Sequence, residues 1–211
     1  LHAALSKAGH ECRIFDFHGH HQIDSISINL LSFSPELIGL SMVFTARAQE
    51  FVDIAENLKK KHGFNGHITA GGHFASFHAE QLLLSFSSID TIIHGEGEQA
   101  LVDLADNIDL PQNVNNISYR DTEGKIIRTG NPTNNPDLDS LAWPTRSLPL
   151  HTYLNLPIAD IIGGRGCFGN CSFCSIAAWH KENGGLRYRF RSPEDIGKEM
   201  AYLYHECGAR I

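Results

Sequence analysis

The chain has 211 residues, of which 42% are hydrophobic, enough for one large core or two smaller ones. Its formal charge of −7 comes without a long basic block, which argues against nucleic acid as a partner. No apolar run approaches the roughly 18 uncharged residues of a membrane helix, so a membrane is not an expected partner either. The chain starts at Leu1 in a helix-like run, LHAALSKAGH, and stops at Ile211 just after GAR, where a new strand is due, so a fragment of a longer protein is expected.

To about residue 108, short apolar runs alternate with amphipathic stretches, the pattern of an α/β fold with a Rossmann-like, doubly wound parallel sheet. Strands are predicted at Cys12 to Phe17, Leu37 to Phe44, His67 to Ala70 and Thr91 to His94. Between them, Phe51, Ile54, Ala55 and Leu58 recur at helical spacing, and lysines gather at the end where the helix dipole favours cations. FHAEQLLLSF and EQALVDLADNI supply two further helices. Each strand then feeds a loop at its carboxyl end, where open α/β sheets bind ligands. His18, His20 and His21 read as polar loop residues, and residues 1–110 read as one domain.

Residues 111–157 change character, with many Asn, Pro and Asp residues. NISYRDTEGKIIRTG reads as a hairpin turning at DTEG, and NPTNNPDLDSLAWP as an extended linker, since each proline biases its predecessor away from helix. From residue 158, IADIIGG is a strand-like run, and SPEDIGKEMAYLYHEC is an amphipathic helix with Ser192 as N-cap and Pro193 in its first turn. Strand, loop, helix and the start of another strand make the first unit of a β/α barrel or a doubly wound sheet. Arg187, Arg189 and Arg191 read as a solvated basic strand face, and Trp179 as a packing residue.

Between that strand and helix lies GGRGCFGNCSFCSI, with Cys167, Cys171 and Cys174 at Cys-x3-Cys-x2-Cys spacing. Five cysteines are an odd count, and the trio lies far from Cys12 and Cys207, so reduced thiols in a cytoplasmic protein fit better than a disulfide framework. A structural zinc site takes four ligands, and His180 would have to be the fourth. Cys171 and Cys174 alone would satisfy a redox pair but leave Cys167 unexplained. Three thiolates on an iron-sulfur cluster would leave one iron open. Gly163, Gly164, Gly166 and Gly169 relax the backbone so that a short loop can wrap such a group.

The strand, the RGC lead and CFGNCSFC resemble the radical S-adenosylmethionine (SAM) enzymes, and RYRFRSPEDIGKEM is similar to a stretch that opens the helix before their second barrel strand. The resemblance implies that residues 158–211 begin a partial TIM-type barrel, with Cys167, Cys171 and Cys174 as ligands of a 4Fe-4S cluster and Phe173 near the adenine of SAM. Residues 38 to 76 resemble the cobalamin (B12)-binding domain that some of these proteins carry, on the Ser41 and Thr45 loop and on Gly71-Gly72. IDTIIHGEGEQAL is also similar to that subgroup. Ser41, Thr45, Gly71, Gly72, His73, Gly95 and Glu96 are therefore the expected cobalamin contacts. The implied activity is reductive cleavage of SAM to a 5'-deoxyadenosyl radical, with methyl transfer to an unactivated carbon as the outcome. Anaerobic ring formation by a cyclase or oxidoreductase is the alternative within the enzyme class. A cobalamin-binding sensor or carrier with a structural metal loop is the rival from outside it. A small-molecule or natural-product-type substrate and an external donor such as flavodoxin or ferredoxin complete the expectation.

Overall fold

The structure, a computed structural model, describes residues 1–17, 19–131, 134–184 and 186–211. His18 therefore lies outside the described residues. The chain forms two compact units, one of Cys12–Thr133 and one that joins Leu1–Glu11 to Asn134–Ile211. The first helix, α1 (His2–Lys7), thus groups with the later part of the chain, where His2 Nδ1 lies 2.9 Å from Thr145 Oγ1.

In the unit Cys12–Thr133, α2 (Ile23–Ser32) leads into β1 (Leu37–Ser41). Helix α3 (Ala48–Glu56), prolonged by a wide turn over Asn57–Lys61, returns the chain to β2 (His67–Gly71). Two short helices, α4 (His73–Phe77) and α5 (Ala79–Ser85), precede β3 (Thr91–Ile93), and α6 (Glu98–Asp106) follows it. The hairpin strands β4 (Ile117–Arg120) and β5 (Ile126–Arg128) come last.

These strands form one five-stranded sheet in the order β1-β2-β3-β4-β5. The first three run parallel, as a strand-helix-strand pattern requires, and β4 and β5 add antiparallel at the edge. The hairpin predicted between residues 111 and 157 thus belongs to the sheet, which continues past residue 110. Its turn is built locally: Asp121 Oδ1 accepts the amides of Glu123 and Lys125 at 2.9 and 2.8 Å, and Gly124 takes a positive φ of 82°. Arg120 then donates to the Leu83 and Ile89 carbonyls, tying β4 to the end of α5.

Burial follows the predicted periods. Ile38 and Leu40 alternate inward on β1, whereas Ile68, Thr69 and Ala70 on the central β2 are all buried. Val52, Ala55 and Leu58 bury one stripe of the α3 segment, and each large aliphatic residue removed from water contributes about 2 kcal/mol. The strand predicted at Cys12 to Phe17 is absent. Of those six residues only Phe17 is buried, Ile14 is exposed, and their backbone takes no ladder partner among the described residues, so alternation alone did not make a strand.

In the other unit, β6 (Thr152–Tyr153) and β7 (Leu156–Pro157) form a small ribbon. Then β8 (Gly164–Gly166), α7 (Ser175–Asn183), β9 (Tyr188–Phe190) and α8 (Pro193–His205) follow. Of the predicted IADIIGG strand only the last glycine lies in a regular strand: β8 pairs antiparallel with β9. The parallel partner is present at one point, because Ile211 donates to the Pro157 carbonyl at 3.2 Å and accepts from the Ala159 amide at 3.0 Å. That pair of bonds sets Ile158 beside Ile211 in parallel, the start of a strand-helix-strand unit.

The predicted linker is packed against α8 rather than free. Ser192 caps that helix by accepting the Asp195 amide at 3.0 Å, and its own amide donates to Asp139 Oδ1 at 2.9 Å. Trp143 donates from Nε1 to Asp195 Oδ1 at 3.1 Å, and Arg146 pairs with Glu199 at 2.9 Å.

Candidate functional site

In the sheet unit, the predicted cobalamin contacts gather at the carboxyl ends of β1, β2 and β3. Ser41 lies directly across from Gly71 in the parallel register. The chain then turns sharply at Gly72, whose φ of 99° favours glycine. A Cβ there would stand 2.9 Å from the Met42 carbonyl oxygen, and the Phe74 amide donates to that same oxygen at 3.1 Å. The β2 turn is therefore pressed against the β1 loop with no room for a side chain. At Gly71 a Cβ would meet Ile93 at 3.6 and 3.7 Å, ordinary contact, so this position keeps the floor between strands low rather than relieving a clash.

Thr45 is exposed on the β1 loop beside Phe44, which is 69% exposed. Gly95 takes a φ of 69° in the loop that leads to α6, with Glu96 beside it, and His73 opens α4, partly buried. The result is a rim of hydroxyls, glycines and exposed apolar side chains round the end of a parallel sheet. This is the place where open α/β sheets take ligands, and a slim group fits where glycines replace side chains.

His94 is a residue that the sequence reading passed over. Its ring is buried at 3% exposure and shares a 2.7 Å hydrogen bond with Ser118 Oγ on β4. Loss of water pushes its pKa down to about 4, with the Arg128 charge lowering it further, so the ring is neutral at pH 7. His20, in contrast, faces acids: its Nδ1 lies 3.2 Å from Asp53 Oδ2 on the outer side of α3.

In the other unit, β8 delivers the cysteine loop. Gly166 has a φ of 92°, and a Cβ there would collide with the carbonyl of Arg187, just before β9, and come within 3.0 Å of the His180 ring. A Cβ on Gly164 would stand 2.8 Å from the Arg189 carbonyl. Glycine at both positions is what lets the two strands close up beneath the loop. Cys167, Cys171 and Cys174 are all free thiols, the first two exposed and the third half-buried at the start of α7. The sulfurs of Cys167 and Cys171 face the same point, 3.4 and 3.8 Å from where a side chain on Gly169 would begin.

Among the described residues, no three His, Cys, Asp or Glu side chains are drawn into a metal-holding group. A multi-iron cluster takes each thiolate on a different iron and can leave one iron open, whereas a structural zinc ion asks for a fourth ligand beside the three cysteines. The donor set, soft and free, fits such a cluster.

The aromatic side chains of the loop point into solvent. Phe173 is 90% exposed and Phe168 82% exposed, the latter edge-on to Tyr188 at 5.9 Å. On β9 the expected polarity is inverted: Tyr188 and Phe190 face outward, whereas Arg189 is 3% exposed and donates to the Asn135 carbonyl. Arg191 pairs with Asp195 at 2.6 Å and with the buried Glu199. The three arginines are therefore not a solvated basic face: two of them are structural.

Residues 1–105 match the family model of the B12 binding domain. The chain is 27% identical over 201 residues to the anaerobic magnesium-protoporphyrin IX monomethyl ester cyclase of Rubrivivax gelatinosus, covering 88% of this chain and 34% of that protein. To the hopanoid C-3 methylase of Methylococcus capsulatus it is 28% identical over 206 residues, covering 93% of this chain and 38% of the other. Among solved structures, the cobalamin-dependent S-adenosylmethionine radical enzyme OxsB with aqua-cobalamin and S-adenosylmethionine bound superposes with a TM-score of 0.65 at 27% identity. That likeness covers 88% of this chain and 25% of OxsB. Residues 1–105 are thus a B12 binding domain, and the chain as a whole is similar to cobalamin-dependent radical SAM proteins. The fold recurs in the radical S-adenosylmethionine methyltransferase TsrM from Kitasatospora setae, with a TM-score of 0.70 at 19% identity over 98% of this chain and 42% of TsrM. The chain spans between a quarter and two fifths of the length of the cyclase, the methylase and OxsB.

Proposed function

We propose that this chain is the cofactor-holding part of a cobalamin-dependent radical SAM enzyme that transfers a methyl group to an unactivated carbon of a small-molecule or natural-product-type substrate. One observation carries the reading: a single chain joins a sheet end stripped of side chains at Gly71 and Gly72 to an open loop of three free thiols at Cys167, Cys171 and Cys174. When bound, the cluster would supply the electron that splits SAM to methionine and a 5'-deoxyadenosyl radical, and cobalamin the methyl carrier.

The protein's part is to hold and shield. Cys167, Cys171 and Cys174 would ligate three irons of a 4Fe-4S cluster and leave the fourth for SAM, and Phe173 offers an exposed ring for the adenine. Ser41, Thr45, Gly71, Gly72, His73, Gly95 and Glu96 would surround cobalamin, with the glycines clearing its path and the hydroxyls and Glu96 offering polar contacts. The exposed thiol loop would receive its electron from an external protein such as flavodoxin or ferredoxin, in the cytoplasm. Likeness to a cyclase as well as a methylase supports ring formation as the second reading.

The test is anaerobic reconstitution of the chain with iron and sulfide, read by absorption and Mössbauer spectra. We expect about four irons per chain and a 4Fe-4S spectrum, lost on Cys167→Ala, Cys171→Ala or Cys174→Ala. A cluster that survives removal of all three cysteines sinks the assignment, and a single zinc per chain favours a sensor or carrier with a structural metal.

A further inference from the structure

We propose that Arg187 is a positioning residue of the thiol loop, spacing two of its cysteines and keeping a positive charge beside them; this rests on the cluster reading above. The register of β8 and β9 sets Gly166 across from Tyr188. The ladder ends at that pair, so Cys167 leaves β8 where Arg187 leads into β9. The guanidinium reaches into the loop: it donates to the Gly169 carbonyl and lies 3.5 Å from Asn170 Oδ1. Gly169 is the residue that the sulfurs of Cys167 and Cys171 both face. Arg187 thus holds the turn that sets the distance between two thiols.

Charge separates Arg187 from Arg191 at the other end of β9. Arg191 is matched by two carboxylates, Asp195 and Glu199. The partners of Arg187 on the loop are neutral oxygens, so its charge is not cancelled there. A fixed cation beside a thiolate-held cluster favours the state with one more electron and raises the reduction potential. Both contacts are made by Nη2, which lies one bond further along the side chain than the ammonium of a lysine would.

The experiment compares wild type, Arg187→Gln and Arg187→Lys after anaerobic reconstitution of the full chain, with iron and sulfide content and an EPR-monitored redox titration as readouts. In R187Q we expect lower iron content and a midpoint potential shifted to more negative values. In R187K the charge stays but the side chain ends one bond short of the Gly169 carbonyl, so iron content should fall while the potential stays near wild type. An R187Q cluster that titrates at the wild-type potential overturns the proposal, whatever its iron content. If R187Q assembles no cluster, R187K decides: a wild-type potential with less iron supports the proposal, and any other result overturns it. A wild-type chain that builds no cluster fails at the earlier step, which separates the two failures.

Discussion

At the scale of single residues, His94 shows how burial sets a charge state. Its folded pKa of about 4 lies below the ordinary value of 6.5, so the unfolded chain binds the proton more readily than the folded one. Stability of the sheet unit is then complete above about pH 6.5 and falls as pH drops toward 4. Between pH 7 and pH 5 this one ring should cost on the order of 2 kcal/mol. Urea unfolding across that range should show the slope, and His94→Gln should reduce it. His67, also pushed down by burial, acts in the same direction and leaves a residual slope. An undiminished slope in H94Q would mean that the ring is not the group responsible. Nothing in the string IIHGEGE announces this: a histidine after two isoleucines reads equally well as a solvated loop residue, and only the β4 pairing supplies Ser118.

At the scale of elements, the loop after β2 and the helix α8 make different demands. Gly72 combines a positive φ with a carbonyl 2.9 Å from where a Cβ would lie, so Gly72→Val should cost about 1–3 kcal/mol and abolish cobalamin retention on a desalting column. Gly39→Ala, which would meet nothing within 4 Å, should retain it. Helix α8 carries Glu199, 1% exposed and shared by Arg146 and Arg191. Removing one partner of such a group strands the others, so Glu199→Ala should destabilise the unit by about 3–5 kcal/mol in urea unfolding. A loss below about 1 kcal/mol would mark the pair as solvent-screened. The spacing of Arg191, Asp195 and Glu199 by four residues was visible in the sequence and points to one helix face. Arg146 was not, because its partner lies 53 residues away and its own segment has no periodicity.

For the whole molecule, the α/β class and the three parallel strands were legible because period-two and period-3.6 patterns alternate cleanly over residues 37 to 106. The cysteine loop was legible because its spacing is local. What could not be read were pairings between distant segments: which strand the hairpin would join, and what the proline-rich stretch would pack against. Sequence distance hides such contacts, since neither partner changes the local pattern of the other.

The placement of α1 has a consequence during synthesis. His2 waits for Thr145, 143 residues further on, a delay of about 10 s at ribosomal rates. In that interval every strand of the five-stranded sheet has already been made, so the contiguous unit can close while the discontinuous one still lacks most of its chain. Nascent-chain folding should thus proceed from the middle of the sequence outward, with the first helix among the last parts to dock.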